Sequence, residues 1–241
     1  MVNDFDWQNR TKLLIGDEGI NKLAKSHILV LGLGGVGSFA AELLVRAGIG
    51  KITIVDSDSY NFSNINRQIG ALRSTIGMLK VDVMEKRLKD INPDIELYKY
   101  NVYLKDEAIL KILMASSYDY VLDAIDTISP KVYCIYNSIK LGYKVISSMG
   151  CGGKFDPSLI RIADISETYE CKLAYIIRKK LHALGIYRGF KAVFSIEKVS
   201  RDKIYMVHNV RNKKSIVGTI SYMPSIFGAF AVSEIIRNIL K

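Results

Sequence analysis

Cysteine is scarce in this sequence, with only Cys134, Cys151 and Cys171 and no CxxC pair. That spacing excludes a four-cysteine zinc site, argues against a disulfide framework, and makes a reducing cytoplasm the expected setting. Histidine is equally rare, and His27, His182 and His208 show no metal-ligand spacing. His27, at the start of a strand, reads as structural; His182 only adds to a basic helix. No basic start leads into an apolar run, so no signal peptide is expected. The most apolar late stretch, residues 225–240, is broken by Glu234 and Arg237. It reads as a core or interface helix, and no stable membrane insertion is expected. Internal repeats and low-complexity tracts are also missing.

Acidic charge is in deficit, 24 residues against 34 basic ones, giving a net +10. The excess is local. Residues 172–214 hold twelve Lys or Arg against Glu197 and Asp202, and the rest of the chain balances. Such a segment is either a docking surface for a polyanion or an unspecialised solvated face. As a polyanion-docking surface, its candidate contacts are Arg178, Lys179 and Lys180.

Apolar residues make up 49% of the chain, enough for a real core. Strand-like runs at 27–31, 51–56, 95–100, 118–123 and 144–147 alternate with helical runs at 38–47, 74–91, 105–115 and 130–141. After Gly150 the pattern changes, with strands at 159–163 and 193–199 around a helix at 172–184. This predicts an α/β fold: a Rossmann-like, mostly parallel sheet with helices on both faces and an antiparallel C-terminal extension. Residues 1–150 would form the nucleotide-binding part and residues 151–241 an extension of the same domain.

The first strand runs into Gly32-Leu33-Gly34-Gly35-Val36-Gly37-Ser38 and then a helix. Gly32, Gly34, Gly35 and Gly37 allow a tight turn whose N–H groups approach phosphate oxygens at a helix N-terminus. Asp56 ends the second strand, where its carboxylate can accept ribose hydroxyls. The next segment favours ATP over a nicotinamide dinucleotide. Asp58 is followed by Asn64, Arg67 and Gln68, then by Lys80 on the next helix. Arg67 and Lys80 could neutralise charge on departing pyrophosphate, and Asp126 could hold Mg²⁺ between phosphate oxygens. Each has a plainer alternative: Arg67 in a loop salt bridge, Lys80 as a solvated helix residue, Asp126 as a helix N-cap.

The segments VLGLGGVGS, IVDSDSYNFSNINRQ, GMLK and VLDAIDT resemble the ubiquitin-activating-type enzymes. That family includes bacterial activators of thiamine and molybdopterin sulfur-carrier proteins. The resemblance implies ATP and Mg²⁺ as cofactors, with Gly35 on phosphate and Asp56 on the ribose. It also places Asn64, Arg67 and Lys80 on the triphosphate and Asp126 on Mg²⁺. It implies a homodimer in which an arginine near the N-terminus, here Arg10, reaches the partner's ATP. GCGGKFDPSLIRIADIS, FSIEKV and FGAFAVSEIIRNIL extend the likeness to the branch that modifies tRNA. There, ATP activates a carboxylate on an adenosine beside the anticodon, and a ring closes with loss of water. The alternative is adenylation of the C-terminal glycine of a ubiquitin-like carrier, with a sulfur-transfer protein as partner. That function usually needs a zinc tetracysteine or a reactive cysteine, for which only Cys171 is placed. Trp7 and the fourteen tyrosines include possible base-stacking groups that sequence cannot single out.

Overall fold

Strand β1, His27–Leu31, is buried along its whole length, as a central parallel strand covered on both faces must be. In the computed structural model, which describes residues 7–200, 204–206 and 215–241, β1 is the axis of a seven-stranded sheet. Its other strands are β2 Lys51–Val55, β3 Glu96–Tyr100, β4 Tyr120–Asp123, β5 Lys144–Ser148, β6 Ile160–Asp164 and β7 Lys191–Ser195. Their spatial order is β3-β2-β1-β4-β5-β7-β6. Every pair is parallel except β6 with β7. The expected antiparallel extension is therefore one edge strand, since β7 joins β5 in parallel register. A separate hairpin pairs β8, Ile204–Met206, with β9, Ser215–Val217.

Alternate residues of β1 feed opposite cores. Ile28 and Val30 pack with α2 (Gly37–Ala47), α3 (Lys80–Ile91) and α7 (Tyr222–Leu240). Leu29 and Leu31 face α4 (Asp106–Met114), α5 (Ile128–Lys140) and α6 (Lys172–His182). A further helix, α1 (Asn9–Lys25), has no counterpart among the expected runs; it is interrupted at Gly16 by non-helical backbone. By length and composition α7 could cross a membrane. Yet its Met223, Phe227, Ala231 and Ile235 are fully buried in the first core.

One expected helix is corrected. Helical periodicity suggested a run over 74–91, but α3 begins only at Lys80. Gly77 has φ +87°, which an α-helix cannot accommodate, and Leu79 is extended and bridged to Ser59. Lys80 thus stands at a helix N-terminus on the carboxyl edge of the sheet, not on a solvated second turn.

Candidate functional site

The loop after β1 is shaped by close backbone packing. A Cβ on Gly37 would lie 1.8 Å from the Gly32 carbonyl oxygen, so no side chain fits there. No side chain caps the first turn of α2, which leaves its N-terminus directed at the loop. Asp56, at the end of β2, fixes the loop from the side. Its Oδ2 accepts the Leu33 N–H at 2.6 Å and its Oδ1 accepts the Asp58 N–H at 2.8 Å. Burial pushes the Asp56 carboxyl above its ordinary range, with Lys80 and these two amides acting the other way.

Lys80 is only 5% exposed, and its Nζ lies 2.9 Å from Asp58 Oδ2 and 3.7 Å from Asp56 Oδ2. The solvated-residue alternative is therefore wrong. Arg67 is half-buried, and its Nη1 donates to the Ser63 carbonyl at 2.7 Å and to Asn66 Oδ1 at 2.8 Å. The Arg67 carbonyl would lie 3.1 Å from a Cβ on Gly35, which places this residue directly against the glycine loop. Asn64 is buried and accepts the Asn61 N–H through its side-chain oxygen, so it shapes the turn carrying Arg67. Gln68 is buried with its amide toward Gly34, and its Oε1 has no hydrogen-bond partner.

Asp126 is exposed in the loop after β4. Thr127, not Asp126, occupies the N-cap position of α5, so the helix-cap alternative fails. Burial pushes the Cys151 thiol up to about 11, with the charge of Arg67 lowering it and that of Asp126 raising it. Among the described residues no cluster of three metal-binding side chains occurs.

The model of the ThiF family matches residues 8–241. The chain belongs to the ThiF family. It is 38% identical over its whole length, and over 96% of the relative, to a protein of Bacillus subtilis named tRNA threonylcarbamoyladenosine dehydratase. The crystal structure of the Escherichia coli enzyme of that name, in complex with ATP, superposes with TM-score 0.87 at 32% identity. That match covers 99% of this chain and 96% of the other. A protein of Vanderwaltozyma polyspora, named adenylyltransferase and sulfurtransferase UBA4, is 36% identical over 65% of this chain and 35% of its own length.

Two other predicted positions lie away from this ThiF-type cleft. Arg10 is exposed, two residues after Gln8, whose amide packs against Gly48 at the far end of α2 from the glycine loop. Helix α6 runs away from the cleft as well. Leu173 lies beside Gly150 at the cleft end, whereas Arg178 reaches back to Thr168. Arg178 Nη1 donates to the Thr168 carbonyl at 2.8 Å and to Thr168 Oγ1 at 2.5 Å, so its guanidinium is engaged within the fold. Lys179 and Lys180 are exposed. His208 and residues 201–203 and 207–214 of the basic segment lie outside the described residues. Cys171 is buried at the N-cap of α6. His27 is held by Thr53 Oγ1 at 2.8 Å and the Ser117 carbonyl at 3.1 Å, at the opposite end of β1 from the loop.

Sequence reading missed the group behind Asp126. Asp123 and Lys131 form an ion pair of 2.7 Å with both side chains at 0% exposure. Lys131 Nζ also donates to the Ile125 carbonyl at 2.9 Å, and Asp123 Oδ1 accepts the Ile125 N–H at 3.0 Å. Ser147 Oγ donates to Asp123 Oδ2 at 2.6 Å. The residue immediately before Asp126 is thus held by both of its backbone polar groups. An acid ending an apolar strand, with a lysine in the next helix, was the available signal.

Proposed function

We propose that this chain is an ATP-dependent tRNA threonylcarbamoyladenosine dehydratase, acting on the adenosine beside the anticodon. The observation that carries this reading is the position of Arg67 and Lys80 beside a glycine loop with Asp56 at its flank, in a chain similar end to end to proteins of that name. A free carboxylate is a poor electrophile, because its oxygen cannot leave as oxide. Transfer of a phosphoryl or adenylyl group from ATP to that oxygen makes it a leaving group. The loop N–H groups and the α2 N-terminus would bind phosphate oxygens, and Asp56 the ribose. Lys80 is buried beside Asp56 and Asp58, so a phosphate arriving there would meet its ammonium where most water is already excluded. Arg67 approaches from the other side, where charge develops as the leaving group separates.

Asp126 offers an exposed carboxylate in the loop after β4, and Mg²⁺ is usually bound through one or two carboxylates with water and substrate phosphates. Asp126 would hold it, and the ion would spread negative charge over the transferring group. Ring closure needs no enzyme nucleophile, since the attacking atom belongs to the same modified side chain and proximity supplies the rate. The oxygen lost as water leaves with the phosphoryl or adenylyl group. We also propose a homodimer. Arg10, near the far end of α2 from its own loop, would serve the partner's ATP.

The decisive experiment incubates the protein with ATP, Mg²⁺ and tRNA lacking the ring, then weighs the nucleoside. A mass lower by one water is expected, with stoichiometric ATP cleavage. An unchanged nucleoside would overturn the reading.

The basic segment would contact tRNA backbone away from the reacting nucleotide, because Lys179 and Lys180 lie towards the end of α6 remote from the cleft. Lys179→Glu with Lys180→Glu should weaken tRNA binding and flatten its salt dependence, by roughly 0.7 to 0.9 log units for each phosphate no longer neutralised. ATP affinity should not change. Equal weakening in a Lys86→Glu control would show the segment to be an ordinary solvated face.

A further inference from the structure

Among the exposed large apolar side chains, Phe155 is set apart by how firmly its backbone is held. Its ring is 62% exposed. Its own N–H donates to Glu197 Oε2 at 2.7 Å, the Asp156 N–H donates to the same oxygen at 2.9 Å, and its carbonyl accepts the Tyr222 hydroxyl at 2.8 Å. The preceding Lys154 is buried, with its Nζ on the Ser195 carbonyl at 3.4 Å and on the Glu197 carbonyl. Tyr222 meets the Phe155 ring edge-on, with centroids 6.0 Å apart and planes at 70°. The backbone is thus fixed while most of the ring stays in water. Ordering an exposed apolar ring in advance lowers the cost of stacking a ligand on it.

Its place in the fold names the ligand. Tyr222 opens α7, and two residues later Pro224 packs on the glycine loop, where a Cβ on Gly35 would lie 2.8 Å from it. Asn66, which accepts from Arg67, donates to the Thr219 carbonyl at 2.9 Å, tying the segment before Tyr222 to the catalytic loop. Asp56 ends β2, on one side of β1. Phe155 follows β5 and is bound by Glu197, which follows β7, on the other side of β1. The ring therefore lies across the glycine loop from the ribose side of the nucleotide, where a second substrate has to present its carboxylate.

We infer that Phe155, steadied by Tyr222, is the stacking platform for an unstacked purine of the RNA loop, the base that bears the reacting carboxylate. The inference rests on the proposed function and gives its substrate a binding surface. Single-stranded RNA loops are read by stacking splayed bases on aromatic rings and hydrogen-bonding their edges. The base on Phe155 would hold its side chain towards Arg67 and the loop, so ring stacking would set how the carboxylate enters.

The test measures tRNA and ATP dissociation constants for the wild type, Phe155→Ala and Phe155→Trp. Removing the platform for one stacked base should weaken tRNA binding about tenfold or more, while tryptophan should keep it within about threefold of wild type. ATP affinity should be the same in all three, which also shows that the variants are folded. Wild-type tRNA binding in Phe155→Ala would overturn the inference and leave the proposed function standing. Equal weakening in Phe155→Trp would overturn it too, since a flat ring would not be what matters. A matching loss of ATP affinity would make the ring an adenine contact instead. Failure of the wild type to bind tRNA would bring down the proposed function along with the inference.

Discussion

Arg67→Ala should lower turnover by roughly a hundredfold or more while leaving the melting temperature close to that of the wild type. The guanidinium donates to the Ser63 carbonyl and Asn66 Oδ1, both on an exposed turn, so the fold loses little with it. What the reaction loses is charge placed where negative charge accumulates. That stabilisation is worth several kcal/mol in a cleft from which water is partly excluded. The loss should appear mainly in kcat, with ATP affinity falling less, because the ground-state triphosphate still has the loop N–H groups and Lys80. Single-turnover rates with saturating ATP and tRNA would measure it. Near-normal turnover would remove Arg67 from the chemistry. Lys80→Ala would be a poorer probe, since it also leaves buried Asp56 beside Asp58 without their shared cation.

Lys131→Met should have the largest effect on stability, about 3–5 kcal/mol, because it strands the Asp123 carboxylate in a site with no exposure. Changing both partners, Asp123→Asn with Lys131→Met, removes the stranded charge and should recover much of that loss. Urea unfolding of the two variants gives the comparison. If the double variant were no more stable than the single one, the cost would come from the lost clamp on Ile125 and not from the unpaired charge. A stable Lys131→Met protein would mean that Asp123 is no longer a stranded charge, whether by taking up a proton or by gaining water.

Signals that depend on near neighbours were legible in the sequence. The strand, glycine turn and helix at residues 27–47 are contiguous, and Asp56 follows at the end of the next strand; these positions hold in the structure. What was not legible depended on partners far along the chain or on burial. The start of α3 was misplaced because its boundary is set by Gly77 and by a bridge from Leu79 to Ser59, which helical periodicity cannot register. Arg178 looked like one of three exposed cations, yet Thr168 takes its guanidinium. A lysine in the first turn of a helix gives no sign by itself that its ammonium is fully buried, so Lys131 passed unnoticed. Phe155 was one aromatic among many until Glu197 and Tyr222 were seen to fix it.

The seating of α7 against the glycine loop bears on how the protein is made. Pro224 packs on Gly35, and a Cβ on Gly228 would meet the Val36 carbonyl at 2.8 Å. On the ribosome, the phosphate-binding turn emerges early and then waits, uncovered, while nearly all of the sheet is synthesised. Only when α7 has been translated can the first core close over α2. Nascent chains halted before residue 222 should therefore expose α2 to chaperones and retain little ATP on an affinity resin.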